Sequence, residues 1–157
     1  MIDLVFNNST SEKRFTEGFF KDILTIATHE LKLRETVEVS VNLVGPEKIK
    51  LLNNQYRKKD KITDVLSFPL EDDTLKKYGI MPLGDIFICV EYVEKKIAHV
   101  PERQEETGKR LQETVAHLAV HGFLHLLGYD HETSEADADK MSTQEQKILN
   151  KFFKSHT

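Results

Sequence analysis

Four of the seven histidines fall in one short segment, His117-Leu-Ala-Val-His121-Gly-Phe-Leu-His125-Leu-Leu-Gly128-Tyr-Asp-His131. On a helix, residues four apart lie on one face a turn apart, so His121 and His125 can share one ion at about 2.0–2.1 Å per bond. His117 and His125 are separated by roughly 12 Å of helical rise and cannot both reach it. A third ligand therefore has to come from beyond the regular helix. Gly128 supplies a natural C-terminal break, because glycine accepts the left-handed backbone that ends helices. The chain can then bring His131 back over the pair. Three neutral imidazoles with an open fourth position describe a catalytic zinc site, and the expectation is one Zn²⁺ per chain on His121, His125 and His131.

The ligand spacing matches that of the metzincin proteases, which read His-Glu-x-x-His, but position 122 is glycine. The carboxylate that would activate water for peptide hydrolysis is missing, while the cage is whole. A metal can still lower the pKa of bound water without that base. His117 is read as structural, with pocket lining or a bond to the outer side of a ligand as the alternatives. His29, His99 and His156 are read as ordinary histidines, Asp130 and Glu132 as loop acids, and Met141 as a core residue.

A second concentration of chemistry lies between Glu47 and Lys61. Lys48, Lys50, Arg57, Lys58, Lys59 and Lys61 stand against Glu47 and Asp60, which is six minus two, or +4, in a chain of net charge −4. Such a segment can steer a polyanion. Arg57 differs from the lysines because its planar fork can hold a phosphate through two bonds.

These residues need a scaffold. Ile2 to Phe6 reads as a first strand. Ser9 and Glu12 have capping-box spacing, ahead of a helix with Phe15, Phe19, Ile23 and Ala27 on one face. Val37, Val39, Val41 and Leu43 alternate with polar residues and predict a strand buried on one side. Gly45 and Pro46 open a short helix to about Gln55. Val65 to Phe68 reads as a strand, Glu71 to Tyr78 as a polar loop, and Asp85 to Val90 as an interior strand. Helices are expected over Glu91 to His99 and from about Gln104 to Leu127. A last helix, capped by Ser134 and Asp137, follows. The order implies an α+β domain with a mixed four-stranded sheet and about five helices, in one unit of 157 residues. Strand order is not readable.

Composition narrows the function class. Apolar residues make up 39% and charged residues 31%, enough for a core and a solvated surface. No run approaches the ~18 apolar residues of a membrane span. No signal-peptide pattern opens the chain, and the single cysteine, Cys89, cannot form an internal disulfide. A reducing cytoplasm is expected, with the Asn-x-Ser/Thr matches at Asn7 and Asn8 idle.

Three blocks carry a resemblance: Leu52-Asn-Asn-Gln-Tyr-Arg57 running on to Ser67-Phe68-Pro69, then Leu83-Gly84-Asp85-Ile86, then His121-Gly-Phe-Leu-His125-Leu-Leu-Gly128-Tyr129-Asp130-His131. Together they resemble the YbeY family of bacterial rRNA maturation factors. The resemblance implies a zincin-like fold and a zinc-dependent, single-strand-specific endoribonuclease. Its implied work is 16S rRNA 3′-end processing, late 30S subunit assembly and ribosome quality control. It places the metal on His121, His125 and His131 and a catalytic role on Arg57 and His121. Implied partners are single-stranded RNA, above all rRNA, and the 30S subunit with its assembly factors, without membrane or DNA. The alternatives from the residues are a metal-dependent peptidase or amidase, which Gly122 opposes, and a non-catalytic assembly factor whose structural zinc takes Asp130 or Asp85 as fourth ligand.

Overall fold

The structure is a computed structural model and describes residues 1–70, 78–99 and 107–156. Its elements in chain order are β1 (Ile2–Asn8), α1 (Glu17–Glu30), β2 (Thr36–Leu43), α2 (Pro46–Arg57) and β3 (Val65–Pro69). They continue with β4 (Ile80–Ile88), α3 (Val90–Ala98), α4 (Thr107–Leu126) and α5 (Glu135–Ser155). This is the α+β arrangement expected, a mixed four-stranded sheet with five helices among the described residues.

The sheet runs β1-β2-β4-β3, with β1, β2 and β4 parallel and β3 an antiparallel edge. The alternation along β2 sends Val37, Val39, Val41 and Leu43 to one face, where Ile86 and Ile88 of β4 join them. That face takes α1 and α4, and α5 packs across both helices. The other face is split. Leu66 and Phe87, paired across β3 and β4, meet Ile49 and Leu52 of α2 in a second apolar cluster. Toward β1 the same face carries a polar ladder, Asn7 to Asn42 to Ser40 to Asp85. Edge strand β3 thus stands between α2 on one side and the C-terminal half of α4 on the other.

Two local expectations are corrected. Ser9 and Glu12 do not cap a helix. The Ser9 N–H and hydroxyl both donate to the Leu43 carbonyl, at 3.1 and 3.2 Å, and Glu12 is held by the Arg14 guanidinium. The cap is Thr16, whose hydroxyl accepts from the Phe19 N–H, while Phe15 is buried ahead of the helix against Phe19. The nearer competitor for Ser9 was a strand carbonyl, which sequence spacing does not reveal.

The interior strand begins at Ile80 rather than Asp85 and ends at Ile88, so Val90 opens α3. Pro82 and Gly84 hide its first half from a propensity reading. Gly84 has φ +136°, and a Cβ there would lie 2.1 Å from the Phe68 carbonyl oxygen, so only glycine fits where β3 crosses close. The pairing slips between Glu38 and Val39, which absorbs Leu83. Ser134 does cap α5, accepting from the Asp137 N–H at 3.0 Å. Residues 71–77 of the loop expected over Glu71 to Tyr78, and the start of a helix at Gln104, lie outside the described residues. No described helix is long and apolar enough to cross a membrane.

Candidate metal centre and nucleic-acid cleft

The buried side of α4, including Leu111, Val115, Ala119 and Phe123, anchors the helix in the core. This leaves His121 and His125 half-buried on the opposite side, at the cleft. The helix stops in a Schellman turn. Gly128, at φ +100°, donates to the His125 carbonyl, and Tyr129 N–H reaches the Leu124 carbonyl at 3.0 Å. Asp130 then accepts the Glu132 N–H at 2.8 Å, closing a second turn that carries His131 back. The three rings form a near-equilateral group, with centroids 4.5, 5.2 and 5.1 Å apart.

One nitrogen from each of His121, His125 and His131 lies within 4.8 Å of the others. The Nε2 atoms of His121 and His125 are 3.0 Å apart, near the ~3.3 Å that tetrahedral coordination at about 2.05 Å requires. The donor set fits a borderline metal: three imidazoles converge, with no carboxylate among them. Burial, then the neighbouring His121 and His131, push His125 below its ordinary pKa, which favours the neutral ring a ligand must present.

The remaining expectations sort cleanly. Asp85 lies on the far face of the sheet, bonded to Ser40, and cannot complete the cage. Asp130 lines the cleft, but one of its oxygens is committed to the turn. His117 does not line the cleft. Its ring bonds Glu145, which also bonds His121, so it meets His121 through that carboxylate and makes no direct bond to a proposed ligand. Met141 is 1% exposed in the core. His29, His99 and His156 lie on the exposed surface. Gly122 faces the sheet: a Cβ there would stand 3.1 Å from Ile86 Cγ2.

A cleft of about 720 Å³ brings the metal candidates together with the end of α2. Arg57, the last residue of α2, lines it alongside His121, His125 and His131, with the β3 edge between. Local structure explains the placement. Buried Asn53 donates from its side chain to the Lys61 carbonyl at 2.9 Å, and its own carbonyl accepts the Lys59 N–H. Lys58 turns left-handed at φ 60° to allow this. The basic residues after Arg57 are thereby held as an exposed loop beside the cleft.

Two cleft-related residues were missed from sequence. Tyr56 is 60% exposed at the cleft and rests on Phe68, ring centroids 5.1 Å apart. Its signal was an aromatic next to the arginine. Glu145 is 7% exposed on α5. Burial pushes its carboxyl up, but the hydrogen bonds from His117 and His121 outweigh this and hold it at about 2. Its signal was a glutamate on the apolar stripe of Met141, Ile148, Leu149 and Phe152.

A profile of the family described as endoribonuclease YbeY matches residues 5–153. The chain belongs to this family. Among its relatives, the endoribonuclease YbeY of Sulfurihydrogenibium sp. is 42% identical over 148 residues, covering 94% of this chain and 91% of the relative. That of Staphylococcus carnosus is 42% identical over 134 residues, covering 83% and 82%. The solution structure of a Thermotoga maritima protein superposes with a TM-score of 0.64 at 26% identity, covering 98% of this chain and 91% of that one. Family membership supports an endoribonuclease activity, and hence RNA as the substrate class.

Proposed function

We propose that the chain is a zinc-dependent endoribonuclease that cuts single-stranded RNA at the three-histidine centre, with Arg57 and His121 as catalytic residues. The observation that carries this reading is the shared cleft: His121, His125, His131 and the forked cation Arg57 face one space. When bound, the ion supplies Lewis acidity to a phosphodiester oxygen and lowers the pKa of water. His121, His125 and His131 hold it through neutral nitrogens. Arg57 makes no ion pair with a described residue and lines the same cleft as the three histidines. It orients the phosphate and offsets charge that develops there in the transition state. Lys58, Lys59 and Lys61 track the neighbouring phosphates.

Tyr56 supports the preference for single strands. Its exposed ring can stack an unpaired base, whereas bases inside a duplex already have both faces covered. Recognition through phosphate and stacking carries little sequence information, consistent with choice by accessibility. The biological substrate in this reading is rRNA in the cytoplasm, during 16S 3′-end maturation, late 30S assembly and ribosome quality control.

The test is RNA cleavage by purified, metal-quantified protein, with His121→Ala as the control against contaminating ribonuclease. Cleavage of unpaired RNA, lost in His121→Ala, supports the reading. Equal cleavage by both proteins, or hydrolysis of peptides without cleavage of RNA, overturns it.

A further inference from the structure

We propose that Glu145 is the positioning residue of the metal centre: its buried carboxylate selects the tautomer of His121 and aims the Nε2 lone pair at the ion. Through it, docking of α5 orients a ligand set carried by α4 and its following loop. This rests on the reading that His121, His125 and His131 bind one ion.

The argument is one of donors and acceptors. Glu145 Oε1 stands 2.8 Å from His121 Nδ1, and Oε2 bonds His117 Nε2. An ionised carboxylate only accepts, so both facing nitrogens must carry protons. A neutral imidazole carries one proton. His121 is therefore the Nδ1–H tautomer, and its Nε2, 3.0 Å from His125 Nε2, keeps a free lone pair directed into the triad. A ligating histidine whose far N–H rests on a carboxylate is fixed in orientation and made more basic.

Burial sharpens the point. Glu145 is 7% exposed on the apolar stripe of α5, between Met141 and Leu149, where a charge needs partners. Its two oxygens are divided between the two histidines. His117 thus holds the carboxylate from the other side, which explains a histidine four residues before the first ligand that does not reach the cleft.

His117, His121 and Glu145 are also close enough to hold an ion of their own. Occupying both groups at once would make His121 ligate through both nitrogens, as a fully deprotonated imidazolate. The hydrogen-bonded arrangement needs no such species, and one ion per chain follows.

The experiment titrates Zn²⁺ against a competing chelator for wild type, Glu145→Gln and Glu145→Ala. It also records ¹⁵N spectra of the histidines in the metal-free proteins above the histidine titration range. Thermal melts of the metal-free proteins establish that each variant is folded. The expected result is one ion in wild type and about a 10–100-fold weaker affinity in Glu145→Ala. Glu145→Gln, whose amide oxygen still accepts from Nδ1–H, should recover part of the loss. His121 should be the Nδ1–H tautomer in wild type and in Glu145→Gln, and not in Glu145→Ala. Should Glu145→Ala unfold, the Gln variant and the wild-type tautomer still decide.

An Nε2–H tautomer in wild type, or wild-type affinity in Glu145→Ala, overturns the role of Glu145 while leaving the metal site standing. Two ions in wild type, one of them lost in Glu145→Gln, overturn it in favour of a second site. A wild type that binds no metal removes the underlying site and the proposal with it.

Discussion

Replacing Gly122 by alanine sets two effects of similar size against each other. Gly122 sits inside α4, where alanine is intrinsically favoured over glycine by about 0.8–1.0 kcal/mol. Yet the new Cβ would meet Ile86 at 3.1 Å (Cγ2), 3.4 Å (Cγ1) and 3.5 Å (Cδ1), and Ile86 is wholly buried in β4. Comfortable carbon contacts lie at about 3.5–4.0 Å, and overpacking a tight core costs about 1–3 kcal/mol. The clash should win, for a net loss of about 1 kcal/mol, which is roughly 2–4 °C in a domain of this size. Ile86→Ala removes all three clashing atoms at its own cost of about 2–5 kcal/mol. In that background Gly122→Ala should become stabilising by about 1 kcal/mol, a coupling of about 2 kcal/mol between the sites. The assay is urea unfolding of metal-free protein with chelator present, because bound metal would mask the difference. An equal effect of Gly122→Ala in both backgrounds would refute the close approach of α4 to β4. Gly122→Glu drives a carboxylate into the same contact. It should lose more stability without gaining peptide hydrolysis, and peptidase activity in that variant would count against the packing argument.

Removing two of the three ligands in His125→Ala, His131→Ala should abolish stoichiometric zinc, while His29→Ala keeps it; elemental analysis decides, and full occupancy in the double variant refutes the cage. Because the ligands must be neutral, zinc affinity should fall as pH drops through the histidine range, with the part due to His125 lost below the ordinary 6.5, since burial and its histidine neighbours hold that ring low; metal titration across pH measures it. Arg57→Lys keeps the charge but loses the fork, so turnover at saturating RNA should fall by roughly one to three orders of magnitude with zinc content intact. Unchanged turnover there would reduce Arg57 to a surface charge. Tyr56→Ala should weaken binding of single-stranded RNA by about 1–3 kcal/mol at constant salt slope, whereas Lys59→Ala should flatten the slope; filter binding at several salt concentrations separates them. In metal-free protein the hydrogen bond to Glu145 raises the His117 pKa, and the Glu145 pKa is held at about 2. Their pairing therefore stabilises fully below the ordinary 6.5 of histidine and above the ordinary 4.5 of glutamate. The stability lost in His117→Ala should peak between those values, shrinking as pH rises through the raised His117 pKa or falls toward 2; a loss that does not change with pH contradicts the pairing.

What the sequence determined by itself was local. Ligand spacing of four residues on a helix, with a glycine able to turn the chain, is set by helix geometry, so His121, His125 and His131 could be grouped before any fold was known. The alternation in β2 and the Ser134 cap of α5 are likewise short-range, and both stand in the structure. The tertiary structure decided whatever depends on contacts between distant segments. Ser9 gave its hydrogen bonds to Leu43, 34 residues away, so its capping spacing went unused. The first half of β4 reads as a breaker because of Pro82 and Gly84, and only the crossing of Phe68 explains the glycine. Arg57 reaches the histidines because α2 covers the far face of β3 and β4 and ends at the cleft, and strand order was not encoded in any local pattern. Glu145 lies 24 residues beyond His121 on a separate helix. Its type and apolar setting mark it as unusual, but its partner is chosen by the packing of α5 on α4, since a carboxylate and an imidazole recognise each other only at hydrogen-bond distance.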